Sequence, residues 1–237
     1  MKAVRACLSA LALLVGACTV PQAEVTPEGT LEVFGPATLS AGGKLPADWV
    51  LDSESDDAIH AERAVIIDAQ ASGATLTLRT TRNRYILARR TKATLLATPY
   101  IGWSWRMTAP SGDEHDIRLI VAFHGGNPES RSWGGEPFAY LGLKLPPFDR
   151  VIALVWGRSA LERGSLALQG GIPEYVARGG QEHMDTWWSD NIDLAALYRK
   201  AWPGDRIERA RIMFVGFAVA AGGGEASASF GDIVLYR

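Results

Sequence analysis

The chain has 237 residues, of which 47% are hydrophobic and 21% charged, and its formal net charge is −2. A charge so near zero gives no support for nucleic acid as a partner or for a membrane-embedded body. Cys7 and Cys18 are the only cysteines. Residues 19–237 therefore hold no disulfide, no thiolate metal site and no cysteine nucleophile, and we expect neither a cofactor nor a metal.

The N-terminus has the layout of an export signal. A basic start at Lys2 and Arg5 precedes an apolar run, 6–16, that is too short to span a bilayer. The segment Val15-Gly-Ala-Cys18 resembles the lipobox of bacterial lipoproteins, in which a peptidase cuts before a cysteine that carries the lipid. We expect residues 1–17 to be a signal peptide and Cys18 to be the lipid attachment site. An ordinary cleaved signal peptide is the alternative.

The residues after Cys18 suggest a location and a tether. Thr19 differs from the aspartate that retains lipoproteins at the inner membrane in enteric bacteria. This resemblance points to an outer-membrane lipoprotein of a Gram-negative envelope that faces the periplasm and meets the membrane only through its lipid. Residues 18–30 carry two prolines and no large aromatic residue, so we predict a flexible tether before a single domain, 31–237.

Short segments rich in branched and aromatic residues predict strands throughout that domain. They are 64–69, 74–80, 85–90, 100–107, 117–123, 138–145, 151–156, 175–178, 211–220 and 229–236. Turn residues such as Ser72-Gly73 and Arg82-Asn83 separate several of them. Strands at this spacing are typical of an all-β fold, and we predict a jelly-roll-like β-sandwich.

A basic cluster lies along the hairpin between residues 79 and 92, which contains no acidic residue. Its members are Arg79, Arg82, Arg84, Arg89, Arg90 and Lys92. One hypothesis is a surface that contacts anionic lipid headgroups, lipopolysaccharide or acidic polysaccharide, in which case salt would screen the contact. The alternative is a solvated face whose charges pair with acidic residues elsewhere in the domain.

The stretch IGWSWRM, residues 101–107, places two tryptophans two positions apart. In a strand, Trp103 and Trp105 share one face with Ile101 and Met107, whereas Ser104 and Arg106 point the other way. Burying large apolar side chains contributes roughly 2 kcal/mol each, so this pattern favours core packing over an exposed sugar platform.

Catalytic residues are few. The four histidines show no zinc spacing, and no serine lies in a nucleophile elbow. The hairpin from Asp113 to Arg118 crowds acidic residues beside His115, which could perform acid–base chemistry on a polysaccharide. A charged turn with an Asp116–Arg118 contact explains the same residues.

The segment from His124 to Pro137 is rich in glycine, lacks periodicity and lies between two predicted strands. Loops of this length in compact domains are often functional. We predict ligand contacts from one aromatic platform and the polar residues around it, namely His124, Asn127, Arg131, Trp133 and Glu136. The alternative is a mobile loop whose Trp133 packs against the body of the domain.

Trp187 and Trp188 are adjacent, so in an extended chain they point to opposite faces. We predict Trp188 as the further ligand contact. Acidic residues nearby make a calcium site conceivable, but capping of a helix near residues 190–202 explains them without a metal. Ser189 or Asp190 is the expected cap, and Pro203-Gly204 the expected end of this one short helix.

Several of these stretches together resemble an uncharacterised bacterial family known as domain of unknown function 3047. They are Lys44–Trp49, Trp103–Arg106, Asp116–Phe123, Trp187–Tyr198 and Ser229–Ile233. The resemblance implies an exported β-sandwich, similar in outline to galactose-binding-like and lectin-like jelly rolls, with no assigned activity. The family usually has a polar run before its closing strand, whereas residues 217–225 here are mainly Ala and Gly, which places any ion site of the family in doubt.

These features favour an envelope lipoprotein that binds a carbohydrate or another envelope component without catalysis. Two alternatives stay open: a glycan-active hydrolase or lyase that uses His124 or the hairpin from Asp113 to Arg118, and a structural partner of an envelope protein assembly. The sequence does not determine the oligomeric state or the ligand.

Overall fold

A computed structural model describes residues 20–40, 43–53, 58–70, 73–108, 115–130, 144–222 and 226–237. The strands are β1 Ala23–Glu24, β2 Thr30–Phe34, β3 Trp49–Ser53, β4 Val65–Gln70, β5 Gly73–Arg79, β6 Tyr85–Thr94, β7 Tyr100–Met107, β8 Ile117–His124, β9 Arg150–Gly157, β10 Leu166–Gln169, β11 Ile172–Gly179, β12 Trp188–Asp193, β13 Arg211–Val219 and β14 Ser227–Tyr236. Two α-helices occur in these ranges, α1 Ala58–Ala64 and α2 Leu194–Ala201. Neither is long or apolar enough to cross a membrane.

The strands form two sheets. The first has the order β1-β6-β13-β8-β9-β11-β10, and β3 also pairs with β6. The second has the order β12-β7-β14-β5-β4, and β2 also pairs with β14. Most neighbours are antiparallel, but β1 runs parallel to β6 and β11 parallel to β9. The predicted all-β sandwich is confirmed.

The core lies between the two sheets and takes one side chain in two from each strand, as the pleat requires. In β7 the expected alternation is confirmed: Trp103 and Trp105 are buried, whereas Arg106 is exposed. The ring of Trp105 packs edge-on against Trp103 and against Trp156 of the opposite sheet, with centroids 5.4 Å apart in both pairs. These tryptophans therefore fill the core.

One buried carboxylate connects the sheets. Asp190 of β12 is only 6% exposed, and its side chain accepts hydrogen bonds from residues of both sheets. Trp105 Nε1 donates at 2.9 Å and Arg178 of β11 donates from two nitrogens at 3.0 and 2.8 Å. Arg163 adds a further bond at 3.0 Å. Charged donors of this geometry compensate much of the cost of burying the charge.

The predicted helix is shorter than expected at its N-terminal end. Residues 188–193 form β12, paired antiparallel with β7, and α2 begins only at Leu194. Asp193 caps it, since its Oδ1 accepts a hydrogen bond from Ala196 N–H at 2.7 Å. Asp190 is not available for capping because it is buried in the strand. The second helix, α1, was not predicted from the sequence.

The expected tether lies partly against the domain. Ala23 and Glu24 pair in parallel with Thr91 and Lys92 of β6, and Ala23 is buried. An exposed ion pair, 3.1 Å between Lys92 Nζ and Glu24 Oε1, lies beside this contact. The chain is therefore attached to the edge of the first sheet from residue 23. Cys18 and the leader lie outside the described residues.

Replacing Asp190 tests the link between the sheets. Asp190→Asn leaves Arg178 without its buried counter-charge, so we expect the free energy of unfolding to fall by about 3–5 kcal/mol. Urea titration followed by tryptophan fluorescence measures it. Asp193→Asn is the matched control, because asparagine caps helices as well as aspartate does. Equal urea midpoints for the two variants would contradict a structural role for the buried carboxylate.

Candidate functional site

The outward face of the second sheet carries polar side chains at the positions that alternate with the core. This face includes Asp68 and Gln70 of β4, Thr75 and Thr77 of β5, Ser104 and Arg106 of β7, Ser189 of β12 and Ser229 of β14. Several contact one another across the strands: the hydroxyl oxygens of Thr77 and Ser229 lie 2.9 Å apart, and those of Ser104 and Ser189 lie 3.3 Å apart.

A depression of about 370 Å³ lies on this face. Its lining includes Asp68, Gln70, Thr75, Ser104, Trp187, Ser189 and Asp232. The floor is low because Gly73 and Gly231 contribute no side chain there. The depression therefore combines one large aromatic ring with hydroxyl, amide and carboxylate groups.

Trp187 provides the aromatic surface. It precedes β12, and 42% of its surface is exposed. The guanidinium of Arg106 lies 5.5 Å from its ring centroid, close enough for a cation–π contact that restrains the ring. Exposed tryptophan on a polar face is unusual, because burial of so large an apolar surface is strongly favourable.

Trp188, the predicted ligand contact, is turned the other way. Its Nε1 donates a hydrogen bond to the carbonyl of His183 at 2.8 Å, and the guanidinium of Arg178 lies 4.1 Å from its ring centroid. It is half-buried against the core. Trp187 is the more exposed member of the pair, and a ligand contact of Trp188 stays a prediction. The sequence shows that two adjacent tryptophans in a strand point to opposite faces, but it does not show which of them faces inward.

Two carboxylates line the depression, Asp68 on the edge strand β4 and Asp232 on the central strand β14. Asp68 Oδ2 accepts a hydrogen bond from Gln70 Nε2 at 3.0 Å. Asp232 has φ of 50°, in the left-handed region that aspartate tolerates better than most residues, and lies in an irregularity where β14 shifts its register against β7. Ser104 Oγ donates to Asp232 Oδ2 at 3.5 Å. The irregularity directs this carboxylate onto the outward face.

The predicted loop site is not assembled in the described residues. His124 is 6% exposed, and its Nδ1 lies 3.2 Å from Asp149 Oδ2. Burial raises the pKa of Asp149, and the nearby His124 partly offsets this. Asn127 Oδ1 accepts a hydrogen bond from Glu129 N–H at 3.0 Å, which shapes a turn. Both residues have structural partners. Arg131, Trp133 and Glu136 lie outside the described residues.

The six basic residues do not form one surface. Arg89 is buried, bonded to Asp48 at 2.9 Å and to two backbone carbonyls of β2. Arg90 is half-buried and donates to the carbonyl of Lys144. Lys92 pairs with Glu24 near the far end of β6 from the turn that carries Arg82 and Arg84. Arg79, Arg82 and Arg84 are exposed. The predicted cluster therefore combines residues that point to opposite faces of β6 and residues that lie near its two ends.

The candidate acid–base hairpin is described only from His115 onward, so Asp113 and Glu114 lie outside the described residues. His115 is 4% exposed, and its Nδ1 accepts a hydrogen bond from Ile117 N–H at 3.2 Å. Burial lowers its pKa. Arg118 pairs with Glu174 of β11 at 3.1 Å and not with Asp116. Within the part of the chain that the structure describes, no group of three His, Cys, Asp or Glu could hold a metal ion.

No family model and no curated protein matches the chain. Among solved structures, it is similar to endoglucanase 3 of Trichoderma harzianum, from glycoside hydrolase family 12, with 9% identity, a TM-score of 0.42 and coverage of 80% of this chain and 94% of that one. A family 12 xyloglucanase of Bacillus licheniformis has 12% identity, a TM-score of 0.39 and coverage of 92% and 97%. The mannan-recognising carbohydrate-binding module TmCBM27 has 10% identity, a TM-score of 0.31 and coverage of 80% and 88%. Likeness this low carries no inference about activity, so function is argued below from the chain's own residues.

The buried His115 gives a pH dependence to stability. Its folded-state pKa is lowered, so below the ordinary histidine value of about 6.5 the unfolded chain binds the proton more readily. Its contribution is fully present above pH 6.5 and is lost progressively as the pH falls from that value through the lower folded-state pKa. We expect His115→Asn to reduce the decrease in urea midpoint between pH 8 and pH 5. His60→Asn, at an exposed position, is the control. Equal decreases in both variants and wild type would contradict this assignment.

Proposed function

We propose that this protein is a non-catalytic binding module that recognises carbohydrate on the outward face of its second sheet. The observation that carries the proposal is the exposed ring of Trp187 beside the depression lined by Asp68, Gln70, Ser104, Ser189 and Asp232. We place binding here because His124 and Asn127 of the predicted loop have structural partners. Arg131, Trp133 and Glu136 lie outside the described residues, so ligand contacts from that loop stay a prediction.

The chemistry of the depression suits a sugar. One face of a pyranose ring presents C–H groups that pack on an aromatic ring, while its hydroxyls donate to carboxylates and exchange hydrogen bonds with hydroxyls and amides. Trp187 supplies the first kind of contact, and Ser189, Ser104 and Asp232, on the strands nearest to it, supply the second. Asp68 lies on β4, at the other end of the depression. Side chains on paired strands also hold their positions better than those on a loop, so the binding site is already formed before a ligand arrives.

We propose, further, that the module works in the envelope of a Gram-negative bacterium, attached by a lipid on Cys18. This rests on the leader and the lipobox-like Val15–Cys18. Membership of the family named domain of unknown function 3047 is likewise a proposal, supported by the short sequence stretches given above. Labelling of the intact chain with a radioactive fatty acid tests the attachment, since Cys18→Ala should remove all label from the protein.

Trp187→Ala tests the binding site. Loss of an aromatic platform of this size should weaken binding tenfold or more, since each 1.4 kcal/mol of lost contact is a factor of ten. Isothermal titration against peptidoglycan fragments, lipopolysaccharide sugars, neutral glucans and mannans, and acidic polysaccharides measures the effect. Leu168→Ala, an exposed apolar residue of the first sheet, is the matched control and should bind like wild type.

Two further measurements make the result decisive. A ligand that binds only the folded protein raises its melting temperature, so the same panel should shift wild type and Leu168→Ala but not Trp187→Ala. Melting temperatures without ligand show that each variant folds. Binding that survives Trp187→Ala would overturn the proposed site, and release of new reducing ends from a bound polysaccharide would overturn the non-catalytic assignment.

A further inference from the structure

One end of the sandwich carries an excess of basic side chains. This end, the α2 end, is formed by the turn 95–99, by α2 and by residues 206–211. Leu194 N–H donates to a carbonyl of the turn at 2.7 Å, and Leu95 N–H donates to the carbonyl of Ala210 at 2.9 Å, so the three segments lie together. Its exposed charged residues are the cations Arg199, Lys200, Arg206, Arg209 and Arg211 and one acid, Glu208.

These cations are available to an external anion. The apolar side of α2 is buried against the core, which leaves Arg199 and Lys200 on the exposed side. Within the described ranges, no carboxylate pairs with Arg199, Lys200 or Arg209. Two further acids, Glu129 and Asp193, border this end, and the carboxylate of Asp193 is already bonded to the first turn of the helix. The net charge of the α2 end is therefore positive.

Exposed apolar groups accompany the cations. Leu96, in the turn, is 46% exposed, and Tyr100, which follows the turn, is 38% exposed. A groove of about 410 Å³ lies beside them, and its lining includes Val25, Ala97, Met213, Lys92 and Arg211. Leucine and tyrosine next to basic side chains are the combination that settles at the interface of an anionic bilayer.

The tether joins the domain near this end. Ala23 pairs with Thr91, which lies about 10 Å before β6 ends at Thr94. The step from Cys18 to Ala23 can span about 17 Å. A lipid on Cys18 therefore reaches a bilayer on which the α2 end rests. The turn that carries Arg82 lies beyond the other end of β6, about 20 Å from Thr91, and is out of this reach when β6 runs perpendicular to the membrane.

We infer that the α2 end docks on the anionic phospholipid surface of the membrane that holds the anchor. The protein then meets the membrane through this end as well as through its lipid. The inference rests on the attachment proposed for Cys18 and does not use the glycan site. It also orients that site: Trp187 precedes β12, and α2 follows β12 directly, so Trp187 lies about 20 Å from the α2 end and is held away from the bilayer.

The test uses residues 19–237, which keep every described strand and helix but carry no lipid. Co-sedimentation measures binding to vesicles of phosphatidylcholine alone and of phosphatidylcholine mixed with an equal part of phosphatidylglycerol. We expect binding only to the mixed vesicles, and we expect salt to weaken it, because the contact is electrostatic. Arg199→Gln combined with Lys200→Gln should weaken binding at low salt tenfold or more, and Leu96→Ser should weaken it severalfold.

Arg82→Gln combined with Arg84→Gln is the matched control, because it removes the same charge at the opposite end and should bind vesicles like wild type. Melting temperatures show that each variant folds. Equal binding to both vesicle types, no binding to either, or equal losses in the two double variants would overturn the docking surface. Trp187→Ala should bind vesicles like wild type. Glycan binding that depends on Trp187 without vesicle binding leaves the proposed function standing, whereas vesicle binding without glycan binding overturns only that function.

Discussion

The carboxylate of Asp190 is the constraint on which the rest of this molecule depends. It lies in β12 of the second sheet, yet its charge is balanced by Arg178 of β11 in the first sheet, and it also holds the indole of Trp105. A buried charge without these partners would cost several kcal/mol, so the strand can adopt only the register that directs Asp190 inward. Because side chains alternate, that register turns Trp188 inward and places Ser189 outward, and Trp187 emerges on the outward face.

The two faces of the second sheet thus differ in role: the inner face packs in the core, and the outer face presents polar groups to solvent. The inner face of β7 packs Trp103 and Trp105 against Trp156 of the opposite sheet. The outer face carries hydroxyls, carboxylates and a few exposed rings on a backbone that the core holds rigid. The function proposed here uses that rigidity, since polar groups on paired strands lose little conformational freedom when a ligand binds.

Several residues that the sequence suggested as contacts for a ligand or an anionic surface have partners within the fold. Arg89 pairs with Asp48 and donates to the carbonyls of Glu32 and Val33, while His124 lies against Asp149. Buried polar groups need partners, so a charged residue whose side chain is buried in a strand implies such a partner. The sequence shows the charge but not the partner, which in the case of Arg89 is 41 positions away.

The sequence by itself determined the fold class, the burial of Trp103 and Trp105, and the outward direction of Ser104 and Arg106, because alternation within one strand is local information. It did not determine where α2 begins or which of Trp187 and Trp188 is exposed. Those depend on the pairing of β12 with β7 and on the contact of Asp190 with Arg163, 27 positions earlier. Only the tertiary structure brought Asp68, Ser104 and Asp232 to one depression, because they lie on three strands far apart in the chain and no local pattern relates them.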